Sequence, residues 1–300
     1  MDIGINYLTE LEEPKNRFDK LYKILLKSRY INTIKFPGKY CDFETLDNFL
    51  KLINETGAKP DIHGLPGMVA AIHSKNFVRN VDWEKVKERI SECKRISTHI
   101  GLENKDRMEN YEQGVFENNI KQLKQNLNCE VGIENIPGGF DFDHRTLTPE
   151  FITEIWGKAD FGVYDISHAK LSAKDLGISY EEYVERLGNK EKVKILHVSG
   201  NIDNTGKYEY KPDKHVLINE KEISDVIKLF EQFKNVDLVV SEYAYNTKYS
   251  YEKEIVIEVM ILNEIIKTKN EQEVRNKLKF LQENLENNLS NLEEIIVLNY

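Results

Sequence analysis

Residues 161–168 read Phe161-Gly162-Val163-Tyr164-Asp165-Ile166-Ser167-His168, a short apolar run closed by an acid, with a histidine three positions beyond it. A run of this length and character predicts a strand covered on both faces, as in a parallel sheet. Outward from it, the same construction recurs downstream at Lys194 to Val198 and Asp237 to Glu242. Upstream it recurs at Asp2 to Tyr7, Tyr30 to Phe36, Lys59 to His63, Arg95 to His99 and Glu130 to Glu134. Between these lie stretches of helical spacing such as Asn16 to Lys27, Phe43 to Glu55, Asp82 to Cys93, Tyr111 to Leu127, Tyr180 to Leu187, Glu222 to Phe233 and Tyr251 to Lys267. Strand and helix in strict succession mean parallel pairing. A doubly wound open sheet would satisfy the same alternation, but eight units favour closure, which leaves no strand edge exposed. The expected fold is a (β/α)8 TIM barrel over residues 1–268. Asn270 to Asn299, with Leu278, Leu281, Leu285, Leu289 and Leu292 in helical spacing, predicts a C-terminal helical extension over 269–300 that caps or flanks it.

The chain has 300 residues, 40% hydrophobic and 31% charged, with 7 prolines and 16 glycines, which suits a large folded core. A net charge of −9 with scattered lysines and arginines argues against broad binding to nucleic acid or acidic membranes. No apolar run is long enough to span a bilayer, and the opening residues lack signal-peptide character, so a cytoplasmic location is expected. Cys41, Cys93 and Cys129 are odd in number and far apart, which predicts neither a disulfide framework nor a cysteine metal knuckle.

Histidine placement points to chemistry. Of seven histidines, His63, His99 and His197 end or nearly end predicted strands, His168 follows strand six, and His215 lies in the loop after strand seven. Glu134, Asp165 and Glu242 also end strands, and Asp213 stands two residues before His215. In a parallel barrel all strand C-termini open on one face, so these nine side chains should converge there. Imidazole nitrogen with carboxylate oxygen suits iron, zinc or manganese better than calcium. Nine candidate ligands, four of them carboxylates able to bridge, exceed the needs of one ion and fit two or three. Glu134, Asp165 and Glu242 are the candidate catalytic carboxylates. Asn135, Asn201 and Lys214 lie beside candidate ligands and are the candidate substrate contacts. Gly138-Gly139 predicts either a close approach to substrate or ordinary turn chemistry, and His73 and His144 are expected to contact solvent.

The runs Asp165-Ile166-Ser167-His168, His197-Val198-Ser199-Gly200, Asp213-Lys214-His215 and Ser241-Glu242 resemble the xylose isomerase-like barrel superfamily over nearly residues 1 to 265. Within it, the AP endonucleases of the endonuclease IV type have nine zinc ligands that match His63, His99, Glu134, Asp165, His168, His197, Asp213, His215 and Glu242 in order. The chain differs from them in Ser199-Gly200-Asn201 after His197, in having Lys214 rather than arginine between Asp213 and His215, and in His63-Gly64-Leu65-Pro66. Closer in wording are the multinuclear non-heme iron oxidases typified by the methanobactin maturation enzyme. Met1-Asp2-Ile3-Gly4-Ile5-Asn6-Tyr7 resembles their opening strand, Ser97-Thr98-His99 their Ser-x-His, Glu134-Asn135-Ile136-Pro137 their Glu-Asn stretch and Asp213-Lys214-His215 their Asp-x-His. His168 stands where members of that group often carry asparagine. The resemblance implies an oxidoreductase that uses two or three ions, with iron favoured, and dioxygen to modify a cysteine-containing precursor peptide, with a peptide-recognition partner protein. The alternatives are a zinc phosphodiesterase acting on abasic DNA, and a single-metal sugar isomerase or epimerase using Glu134 and Glu242.

Overall fold

The computed structural model describes residues 1–7, 16–38, 41–68, 72, 74, 77–90, 93–100, 113–138, 144–200, 217–242 and 251–287. Eight strands, β1 (Asp2–Asn6), β2 (Thr33–Phe36), β3 (Lys59–His63), β4 (Arg95–His99), β5 (Glu130–Glu134), β6 (Phe161–Asp165), β7 (Val193–Val198) and β8 (Leu238–Ser241), pair in chain order into a closed barrel. Every pairing is parallel, including β1 with β8. The open-sheet alternative is thereby excluded, and the expected (β/α)8 barrel is the fold.

The helices among the described residues are α1 (Asn16–Lys27), α2 (Phe43–Thr56), α3 (Trp83–Ile90), α4 (Gln113–Leu127), α5 (Pro149–Lys158), α6 (Ile166–Leu176), α7 (Tyr180–Arg186), α8 (Glu220–Gln232), α9 (Tyr251–Thr268) and α10 (Glu271–Asn287). α10 is the expected C-terminal extension and packs along α9 and α8 with Val274, Leu278 and Leu281 buried. It therefore flanks the barrel.

Strand two is shorter than its apolar run suggests. α1 ends in a turn in which Arg29 has φ +55° and the Tyr30 and Ile31 amides both donate to Leu25 O, so these residues belong to the helix exit. Two helices escape the sequence reading. α5 begins with a Thr148 cap, whose Oγ1 accepts the Phe151 amide, and has proline in its first turn. α6 follows β6 with no intervening loop and is buried almost all round, so it shows little amphipathic period.

The strands alternate between two cores. Ile34 and Phe36 belong to the large layer under the helices, whereas Phe161, Val163, Ile195, Leu238 and Val240 form a separate cluster inside the barrel. Gly132 on β5 makes room for this plug: a Cβ there would meet the Phe161 ring at 2.1 Å. The apolar filling thus comes from β6, β7 and β8.

Candidate metal centre

Glu134 is the hub. It ends β5, is 1% exposed, and its Oε2 lies 3.0 Å from His197 Nδ1 and 3.4 Å from His63 Nε2. Its Oε1 lies 3.2 Å from His168 Nδ1 and 3.9 Å from His99 Nδ1. Among the described residues neither oxygen receives a properly directed hydrogen bond, so the attraction is that of an anion among imidazoles. Burial works to raise the Glu134 pKa, but His197, His99 and His63 around the carboxyl hold it well below the usual carboxylate range.

Two ligand groups share this residue. His63, His99 and Glu134 offer ligand atoms within 4.8 Å of one another, and so do Glu134, Asp165, His197 and Glu242. The parallel register brings them to one level: His99 pairs with Glu134 across β4 and β5, and Asp165 with His197 across β6 and β7. His63 Nε2 and His99 Nε2 face each other at 3.0 Å. Burial, then the Lys35 charge, pushes the His63 pKa well below its ordinary value, which keeps this imidazole neutral and able to ligate near pH 7. His197 Nε2 is buried with no hydrogen-bond partner among the described residues. Among the described residues Glu134 Oε1, Glu134 Oε2 and His197 Nε2 are buried without a hydrogen-bond partner at the centre of six side chains that offer ligand atoms, which is what a cation would satisfy, so these residues fit one or more metal ions.

Neighbouring groups hold the candidate ligands in place. His63 Nδ1 lies 2.8 Å from Ser97 Oγ. The Asp165 amide donates to Asn135 Oδ1 at 2.8 Å, and Asn135 Nδ2 donates to Asp165 O at 3.0 Å, so both ends of the Asn135 amide are engaged by Asp165. His168 Nδ1 lies 2.8 Å from Asn135 O, which can only accept; Nδ1 therefore carries the proton and Nε2 the lone pair. Asp165 also caps α6, its Oδ1 accepting the His168 amide at 2.7 Å.

Of the residues singled out from sequence, His63, His99, Glu134, Asp165, His197 and Glu242 stand in the two groups. His168 stands outside them but touches Glu134. Asn201, Asp213, Lys214 and His215 lie outside the described residues, as do Gly139 and His73; His144 is exposed. Gly138 makes its close approach to the backbone of α6, where a Cβ would meet Leu171 O at 2.4 Å.

The sequence reading missed Lys35. This lysine on β2 is 4% exposed, and its Nζ contacts Glu242 Oε1 and lies 3.4 Å from His197 Nδ1. The available signal was a lone charge in the apolar strand Thr33-Ile34-Lys35-Phe36, since a lysine buried on both sides must be paired.

A model of the family described as RiPP precursor modification enzyme MbnB/TglH/ChrH matches residues 72–243. Among solved structures, a xylose isomerase domain-containing protein of Salmonella typhimurium LT2 is 13% identical with a TM-score of 0.58, over 87% of this chain and 97% of that one. A xylose isomerase domain protein of Alicyclobacillus acidocaldarius is 11% identical with a TM-score of 0.54, over 93% and 99%. D-allulose 3-epimerase from Methylomonas sp. is 10% identical with a TM-score of 0.52, over 94% and 97%. At these identities the likeness is one of fold. No curated protein matches the chain in sequence. The family match runs from ahead of β4 to the residue after Glu242, more than half of the chain, and so takes in every ligand strand except β3. On that match, the chain belongs to the MbnB/TglH/ChrH family of RiPP precursor modification enzymes.

Proposed function

We propose that this protein is an iron- and dioxygen-dependent oxidase that modifies a cysteine-containing precursor peptide at the open rim of the barrel. The observation that carries the reading is Glu134, one carboxylate common to two ligand groups, in a member of a peptide-modifying family. His63 and His99 would hold one ion with Glu134, and Asp165, His197 and Glu242 a second. His168, with its Nε2 lone pair, would serve a third together with Asp213 and His215. A redox-active ion at such a site supplies one-electron chemistry with dioxygen and an open position for a thiolate.

The protein's own part is placement. Asn135 ties β5 to β6 and thereby sets Asp165, while its carbonyl fixes the His168 tautomer. Ser97 orients His63. The carboxylates Glu134, Asp165 and Glu242 balance the charge of the ions in a buried setting where water is scarce. Asn201 and Lys214 are the proposed peptide contacts, with recognition shared by a partner protein.

The test is anaerobic reconstitution with ferrous iron, addition of a small cysteine-containing peptide encoded beside this chain, and exposure to oxygen. Oxygen uptake and a changed peptide mass are expected. An unchanged mass in every candidate peptide would overturn the reading, and three zinc ions with cleavage of abasic DNA would replace it by the hydrolytic one.

A further inference from the structure

Lys35 faces the ligands from a strand that contributes none of them. Its neighbours Ile34 and Phe36 pack under the helices, so by strand alternation Lys35 projects into the barrel. It pairs in register with Asn6 on β1 and Asp61 on β3, below the level of His63. From there its Nζ reaches Glu242 Oε1 and His197 Nδ1. His197 Nδ1 in turn lies 3.1 Å from Glu242 Oε1 and 3.0 Å from Glu134 Oε2. A fixed positive charge is thus in contact with Glu242 and His197 of the second ligand group, whereas its effect on His63 of the first group is exerted at longer range.

We propose that Lys35 governs how many ions the rim holds: its ammonium competes with a metal ion for Glu242 and His197. Ions then load first at His63, His99 and Glu134, and the second group fills only at higher free metal. This rests on the metal-centre reading above and adds to it an order of loading. The competition is electrostatic. A dication entering the second group meets a buried ammonium a few ångströms away and must displace it from Glu242, and charges so close repel strongly where water does not screen them. A purely structural lysine would behave differently, since its loss would weaken the fold without tightening metal binding.

The experiment titrates the metal-stripped full chain with Zn²⁺, and anaerobically with Fe²⁺, by calorimetry, with bound metal counted after dialysis at fixed free concentration. The wild type is expected to fill in separate steps. Lys35→Met should take its second ion at free metal at least about tenfold lower, and Lys35→Arg, which keeps the charge, should follow the wild type. A Lys35→Met protein that titrates like the wild type, or that loses ions, overturns the proposal while leaving the metal centre standing. Lys35→Gln, neutral and able to hydrogen-bond, covers misfolding of the methionine variant. If both neutral variants unfold, Lys35 is a structural ion-pair partner and the proposal fails. A wild type that binds no ion under either metal overturns the metal-centre reading and this proposal together.

Discussion

Asn135 carries no ligand atom, yet three of its polar groups hold ligands: Oδ1 and Nδ2 on the Asp165 backbone, and its carbonyl on the His168 ring. Asn135→Ala removes both side-chain hydrogen bonds to the buried Asp165 backbone, which costs about 1–3 kcal/mol. Loosened ligands also bind metal about 10–100-fold more weakly. Urea unfolding and metal titration check both effects, and a variant stable and metal-replete as the wild type would refute the clamp. The thiols give a second expectation at this scale. Burial pushes the Cys93 pKa up to about 11 and the Cys129 pKa up to about 12. A raised pKa means that the fold prefers the neutral thiol, so this stability is present below the ordinary thiol pKa and declines as pH rises toward 11 and 12. At pH near 8, Cys93 should react with a disulfide reagent about 100-fold and Cys129 about 1000-fold more slowly than in the urea-unfolded chain. Equal rates in the two states would contradict this.

Elements were legible in proportion to how far neighbours decided them. β3, β4, β5 and β6 have the bounds that their residues predict, because each is a short run that ends in a candidate ligand. The convergence of the candidate ligands is legible for the same reason: a strand that ends in histidine or acid can present it only at the rim. Lys35 was hidden because its meaning lies across the barrel, on β7 and after β8, where sequence spacing carries no information. α6 was hidden because burial all round erases the helical period. Its position is set instead by contact: Gly138 lies against the α6 backbone, and Ser172 Oγ donates to Ile136 O at 2.8 Å. Gly138→Ala would drive a methyl onto Leu171 O and push α6 away, with a loss of about 1–3 kcal/mol and weaker metal binding through Asp165 and His168. Gly57→Ala is the contrast. Gly57 ends α2 at φ +69° with open space where a Cβ would go, so only backbone strain of about 1 kcal/mol is expected and metal binding should not change. Equal effects of the two substitutions on metal affinity would break the link between Gly138 and the site.

For the molecule as a whole, barrel closure gathers Glu134, Asp165 and Glu242, each at most 4% exposed, at one end of the barrel. Lys35 and the imidazoles offset these charges only partly, and both Glu134 oxygens are without hydrogen bonds among the described residues. Such an arrangement is costly in the metal-free fold, and the unfolded chain does not present it. An ion that binds the folded state alone must then stabilise the whole barrel. At free metal 100-fold above its dissociation constant the gain is about 2.7 kcal/mol, worth about 5 °C in the melting temperature of a chain of this size. Stripping the protein with a chelator should lower its melting temperature by about that amount, and returning ferrous iron anaerobically should restore it. Glu134→Gln, which removes the charge common to both groups, should melt at one temperature with or without metal. If chelation leaves the wild-type melting temperature unmoved, the orphaned acceptors are not a metal centre and the rim must be read as a buried polar network.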